Sequence, residues 1–400
     1  MNADFFKNNR LKLAEAVSGG LVVLAAYSRM QRGNDMASAF EQEANFWYCT
    51  GIEEADWMLI IDGTRHMSWL VKPEVDDVHK IFDGELPSEQ AKEISGVDGV
   101  VSFDEGMSLL RRLAKTHSLA HTITQPEHVS YFNFTLNPAI AQNNARLERI
   151  FARVQSCNKE LAKLRAIKQP QEIKCIEKAI AITIDAFKNV RENMQAYTHE
   201  YEIEAEMTKI IRASGAQGHA YDPIVAGGMN ACTLHYNQNS SRVKPRQFVL
   251  MDVGARYGGY AADISRTYSK GEPNKRQKLL HELLQEAHVS IISVLKPELS
   301  VVEYQQHVDT VMYDVLQRAG FSGDKESLVR QYMPHAVSHG LGIDVHESLG
   351  KTKTFEEGML LTVEPGIYIP QEKIGIRIED NILITAAGHK NLSAKLPIVY

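Results

Sequence analysis

At 400 residues the chain is long enough for two domains, and 44% hydrophobic with 24% charged residues is a globular composition, not a disordered or membrane-spanning one. A net charge of −6 argues against a nucleic-acid-binding surface, and no apolar run reaches the length of a bilayer span. Cys49, Cys157, Cys175 and Cys232 have neither paired spacing nor a disulfide framework, so they read as reduced thiols. The expectation is a cytoplasmic protein with no nucleic-acid and no membrane partner.

In chain order, Phe5–Val17 has helical periodicity and Leu21–Tyr27 reads as a strand. The apolar run at Gly20–Ala26 is too short for a signal-peptide core and is followed by Arg29 and Arg32. Gly33–Asn45 is polar and loop-like, and Phe46-Trp47-Tyr48, Trp57–Ile61 and Met67–Val71 are strand candidates. Pro87–Ile94 and Glu105–His117 read as helices, with strands at Val100–Phe103 and Leu119–Ile123. This alternation implies an α/β domain. Asn137–Ile167 is charged and helical in pattern, and Lys159, Lys163, Arg165 and Lys168 read as a solvated face or connector. Pro170 suits the first position of a helix over Gln171–Val190. The expected division is an N-terminal α/β domain at 1–160 and a second domain at 161–400. In the latter, helices near 170–193, 199–214, 275–296 and 300–319 alternate with glycine-punctuated, β-rich segments. His281, His288 and His307 fall in these helices and read as structural or solvent-facing.

The second domain is organised around Phe248–Lys270. Val249–Val253 and Ala261–Tyr268 are strand-like, and Gly258-Gly259 between them suits a two-residue hairpin loop. Tyr257 then faces Tyr260, Asp263 pairs with Gly254, and Asp252 becomes its diagonal neighbour, roughly 7–8 Å away at the backbone. Two carboxylates on an apolar hairpin are costly unless something positive lies between them. The competing reading is a pair of solvent-facing acids.

Three other segments can join the pair. Met333–Glu347 carries His335, His339 and His346, with Gly340 and Gly342 allowing close folding around His339. Met359–Ile369 places Glu364 at the end of an apolar strand before Pro365-Gly366, where a surface turn is the alternative. In Ile374–Ile384, Arg377 and Glu379 share a face by strand periodicity, and an exposed ion pair is the alternative. If Asp252, Asp263, Glu364 and Glu379 converge, two divalent cations cancel their charge, His339 adds a nitrogen, and Arg377 offsets a hydroxide. That count favours two-metal hydrolysis. Oxygen-rich ligation with one imidazole suits Mn2+ first, with Co2+, Zn2+ or Fe2+ as alternatives.

The ordered set Asp252, Asp263, His339, Glu364, Glu379 resembles the dinuclear metallopeptidases of the pita-bread fold. DVGARYGGYAADISRTY, SHGLGIDVHE, TVEPGIYIP and GIRIEDN are most similar to the Xaa-Pro group, aminopeptidase P and prolidase, and NFWYCTGIEEADWMLII resembles the aminopeptidase P N-terminal domain. All five ligand positions match, which disfavours a metal-free relative of the creatinase type. The resemblance implies an α/β N-terminal domain followed by an α+β pita-bread catalytic domain. It implies His235, His335, His346 and Tyr368 as substrate-binding positions, and His235, His346, Glu364 and Arg377 as catalytic ones. The implied activity is cleavage between an N-terminal residue and a following proline, in small peptides with proline at the second position. A homodimer or homotetramer is the implied assembly. The alternatives are prolidase, general or methionine aminopeptidase action, a non-catalytic peptide-binding member of the fold, and a two-metal phosphoesterase. Arg242 and Arg246, just before the hairpin, are the candidates for a dipeptide's carboxylate.

Overall fold

The computed structural model describes residues 1–132 and 134–400, which form two units, Met1–Leu164 and Arg165–Tyr400. In the first, the described strands are β1 (Leu21–Ala25), β2 (Met58–Asp62), β3 (Met67–Val71), β4 (Gly99–Val101), β5 (Leu119–Thr122) and β6 (Arg153–Ser156). They lie in one mixed sheet ordered β4-β3-β2-β1-β5-β6. Helices α1 (Ala3–Ala16), α2 (Ala44–Thr50), α3 (Asp77–Asp83), α4 (Ser88–Ser95), α5 (Phe103–Leu113) and α6 (Ala139–Glu148) surround it, and α7 (Asn158–Ala166) runs across the unit boundary. β1 is wholly buried, and Leu21, Val23, Ile60, Leu110 and Leu147 form the core with no exposed surface.

Two expectations fail in this unit. Phe46-Trp47-Tyr48 is the middle of α2, not a strand. The Glu43 carboxylate accepts from Phe46 N at 2.6 Å and starts the helix, and Gly51, left-handed at φ 69°, ends it. Both local caps outweigh the β-propensity of three aromatics, and Phe6 packs edge-on against Trp47 at 5.7 Å. The stretch 137–167 is not one helical connector. It contains α6, β6 and α7, and β6 is a largely exposed edge strand paired only with β5 among the described residues, so its polar side chains imitate a helix surface.

The second unit carries β7 (Gly218–His219), β8 (Ile224–Gly227), β9 (Phe248–Val253), β10 (Ala255–Tyr257), β11 (Tyr260–Ala261) and β12 (Ile264–Ser269). After them come β13 (Leu360–Val363), β14 (Gly366–Ile369), β15 (Ile374–Arg377), β16 (Asp380–Thr385) and β17 (Gly388–Asn391). Its helices are α8 (Pro170–Glu192), α9 (Glu200–Ala213), α10 (Lys275–Ser293), α11 (Val301–Arg318) and α12 (Lys325–Tyr332), the last of which the sequence reading did not anticipate. Pro170 occupies the N-terminal position expected of it in α8. β9 is buried along its whole length between β8 and β12. Leu280, Leu284, Val308 and Met312 of α10 and α11 cluster with Leu361, Val363, Ile376 and Ile382 of the strands, all without exposed surface. Each such side chain contributes about 1.5–3 kcal/mol of transfer free energy, so the strands that end at the site are held by a large core.

Charge assignments also change. Arg165 and Lys168 are not on a solvated face but buried, each 5% exposed. His281 and His288 are buried in α10, whereas His307 is half-buried beside Ser290.

Candidate metal centre

The hairpin has the expected register. Tyr257 faces Tyr260 across Gly258-Gly259, whose φ values of 58° and 83° suit glycine in a type I′ turn. Ile264 pairs with Val253 and Ser265 with Asp252 in the same register, which sets Asp263 opposite Gly254. The ladder opens there. Gly254 O accepts from Ala220 N at 2.7 Å, and a Cβ at this position would lie 1.8 Å from Ala262 O. The opening frees both aspartates to turn to one side.

Tyr221, which the sequence reading passed over, joins them: its hydroxyl lies 2.5 Å from Asp252 Oδ1 and 2.6 Å from Asp263 Oδ1. A phenol carries one proton, so without a cation the second contact requires a proton on one carboxylate. Burial, and then the charge of Asp252, push Asp263 well above the usual carboxylate range.

The remaining donors arrive from strand ends. Glu364 follows β13, Glu379 links β15 to β16, and His339 is tied to β13 through Thr362 N, which donates to His339 O at 2.9 Å. Asp263, His339 and Glu379 each bring a ligand atom within 4.8 Å of the other two. His339 Nε2 is 3.5 Å from Asp263 Oδ2 and 3.3 Å from Glu364 Oε1. His339 Nδ1 donates to Gly340 O at 3.0 Å, which directs Nε2 at the carboxylates.

Arg377 is committed on three sides. It donates to Asp252 Oδ2 at 2.5 Å, to Ser265 Oγ at 2.9 Å and to the Tyr368 hydroxyl at 2.8 Å. Ser265 Oγ in turn donates to Glu379 Oε2 at 2.8 Å. The Tyr368 hydroxyl continues to His335 Nε2 at 2.8 Å, and His335 Nδ1 donates to Ala336 O. The His346 ring packs on that of His339 at 4.3 Å and 80°. Burial, then His339, with His235 adding in the same direction, hold His346 below its ordinary value. The structure therefore brings the five donors together with Arg377, Tyr368 and His335, and sets His346 beside His339, while His235 is exposed and tied to the group only through its electrostatic influence on His346.

These residues fit divalent cations. Four carboxylates and one imidazole converge, and Arg377 offsets only one negative charge. Glu379 Oε1 is buried with no hydrogen-bond partner among the described residues. Burial, then the neighbouring carboxylates led by Asp263, push Glu379 well above its ordinary range. A buried, unpaired oxygen within a cluster short of positive charge fits a divalent cation.

A family model for metallopeptidase family M24 matches residues 174–386, and one for the aminopeptidase P N-terminal domain matches residues 6–123. This chain belongs to metallopeptidase family M24. It is a metallopeptidase with an N-terminal aminopeptidase-P-type domain and a pita-bread catalytic domain. The Xaa-Pro aminopeptidase of Escherichia coli is 30% identical over 98% of this chain and 94% of its own length. Xaa-Pro aminopeptidase 3 of Mus musculus is 30% identical over 94% of this chain and 78% of its own. Among solved structures, the low-pH form of E. coli aminopeptidase P matches with a TM-score of 0.88 at 28% identity, covering 100% of this chain and 96% of that one. Proline aminopeptidase P II from Yersinia pestis matches at 0.86 and 30% identity, covering 100% and 98%.

Within this M24 chain, Tyr221 is a residue that spacing could not have revealed. It precedes a short strand, and no periodicity marks its hydroxyl. Arg242 and Arg246 lie on the exposed segment before β9, where their backbones meet His199 and Lys270.

Proposed function

We propose that this M24 metallopeptidase is a metal-dependent Xaa-Pro aminopeptidase, with Asp252, Asp263, His339, Glu364 and Glu379 as ligands of two divalent cations. The observation that carries the reading is the convergence of these five donors beside an apolar wall. Ile224, Ala226, Leu250 and Tyr368 are buried in one cluster, with Leu234 and Cys232 packed against it. A prolyl nitrogen has no N–H, so its pocket needs no acceptor at that point and can be lined by such groups. When bound, the cations would lower the pKa of a water and polarise the scissile carbonyl. Manganese is the proposed ion, on the strength of four carboxylates and a single imidazole.

The chain's own side chains then have distinct tasks. Glu364 takes the proton of the attacking water and passes it to the leaving prolyl nitrogen. His346, with His235, stabilises the charge developing on the carbonyl oxygen. His335 and Tyr368 border the proline ring. Arg377 holds Asp252 and Tyr368 in place. With its fork spent on Asp252, Ser265 and Tyr368, Arg377 is not available to clamp the carboxylate of an Xaa-Pro dipeptide, which supports aminopeptidase over dipeptidase action.

A peptide panel tests this. Ala-Pro-Ala is expected to be cleaved, Ala-Ala-Ala to be inert, and chelation to abolish turnover until Mn2+ is added back. Turnover of Ala-Pro with Ala-Pro-Ala inert at saturation would move the assignment to prolidase. Equal cleavage of Ala-Pro-Ala and Ala-Ala-Ala would remove the proline specificity. The proposal extends to a cytoplasmic location and a homodimer or homotetramer, which fractionation and light scattering would test.

A further inference from the structure

The loop between the two histidines of the site is closed by a neck. Gly340 and Glu347 form an antiparallel bridge, with Glu347 N donating to Gly340 O at 2.8 Å. His346 directly precedes Glu347, so whatever fixes that side of the neck also fixes the His346 ring, whereas His339 is tied separately to β13 through Thr362 N.

The neck rests on a buried charge cluster apart from the metal ligands. Glu347 Oε1 accepts from Arg165 Nε at 3.1 Å, Arg165 Nη2 at 2.5 Å and Ile343 N at 3.2 Å. Glu347 Oε2 accepts from Lys168 Nζ, which also donates to Arg165 O. Arg165 Nη2 reaches Asp344 Oδ2 at 2.6 Å on the far side of the loop. Glycines 340 and 342 make room for this arrangement. A Cβ at Gly342 would lie 2.3 Å from Glu347 Oε2, and one at Gly340 would lie 2.5 Å from Glu347 O. A fork on one oxygen and an ammonium on the other leave the carboxylate no freedom to rotate. Burying such charges adds little net stability compared with an apolar substitute, so stability alone does not account for the cluster.

We propose that Arg165, Lys168 and Glu347 are positioning residues for the hydrolytic reaction. They lock the neck and thereby hold the His346 ring where charge develops on the substrate oxygen, an inference that rests on the role given to His346 above. A ring set on a rigid neck keeps its place without reorganisation during the reaction, whereas small displacements of such a group are costly.

The test is a double-mutant cycle on the metal-loaded full chain with Ala-Pro-Ala. Lys168→Met is expected to lower kcat about tenfold, with KM and metal content unchanged, and Lys168→Arg is expected to recover most of the loss. In a His346→Ala background Lys168→Met is expected to change kcat less than about twofold, because the group it positions is gone. Equal losses in both backgrounds would overturn the positioning role while leaving His346 intact as a participant. Loss of metal in Lys168→Met would overturn it as well. A His346→Ala variant with unchanged kcat would overturn both the role of His346 and the inference built on it. Should Lys168→Met not fold, Arg165→Lys, which keeps the charge and removes the fork, carries the same cycle.

Discussion

Acid should destabilise the catalytic unit through His281, and the size of the effect can be worked from its surroundings. The ring is 1% exposed, edge-on to Tyr400 at 5.2 Å and near Phe248 at 6.1 Å. Neither ring nitrogen has a hydrogen-bond partner among the described residues. Burial, and then the positive charge of Arg266, hold its pKa down to about 4. In the unfolded chain the value returns to about 6.5, so the unfolded state binds the proton first as pH falls. The stabilisation is present at pH 7 and is lost as pH falls from about 6.5 to about 4. Integration gives about 2 kcal/mol lost between pH 7 and pH 5. His281→Phe removes the titration and keeps the aromatic contacts. Urea unfolding should be measured on chelator-treated protein, so that metal binding does not titrate in parallel. Because Trp47, Trp57 and Trp69 all lie in the first unit, the probe should be far-UV dichroism or exchange protection of α10 amides rather than tryptophan fluorescence. The stability lead of the variant over the parent should grow by about 2 kcal/mol from pH 7 to pH 5. A lead constant to within about 0.5 kcal/mol would refute the reasoning, since His288 and every carboxylate titrate in both proteins.

His339→Ala should lose bound metal, whereas His346→Ala should retain it and lose turnover by about 10²–10³-fold. Elemental analysis beside the rate separates the two, and equal metal loss would contradict the division. Tyr221→Phe removes the hydroxyl shared by Asp252 and Asp263 and should weaken metal binding about tenfold or more. A metal titration with unchanged midpoint would show that the hydroxyl is dispensable.

The hairpin could be read in the sequence because its two determinants are local. Gly258-Gly259 specifies the turn, and strand alternation then places Asp252 and Asp263. Glu364, Glu379 and Arg377 were visible as charges interrupting apolar strands. Tyr221 was not, since one tyrosine before a strand carries no spacing signal. Arg165 and Lys168 were misjudged for a related reason: their sequence looks like a solvated helix, as it is at the exposed Lys159 and Lys163, and only the distant Glu347 turns them inward. Phe46-Trp47-Tyr48 was misread because three consecutive aromatics favour strand, whereas the Glu43 cap and Gly51 decide for helix. β6 escaped because an edge strand needs only one apolar neighbour.

The order of the donors along the chain bears on how the molecule folds. Asp252 and Asp263 share one hairpin, so half of the acidic donors can meet as soon as that local turn closes. Glu364 and Glu379 lie beyond α10, α11 and α12, and they join the pair only after the intervening helices have packed and a long loop has closed. Before that closure a cation meets at most two carboxylates and is held weakly. With those proposed donors, a bound ion would act on the finished fold, slowing its loss rather than speeding its formation. The corollary is a refolding rate independent of added cation beside an unfolding rate that falls with it.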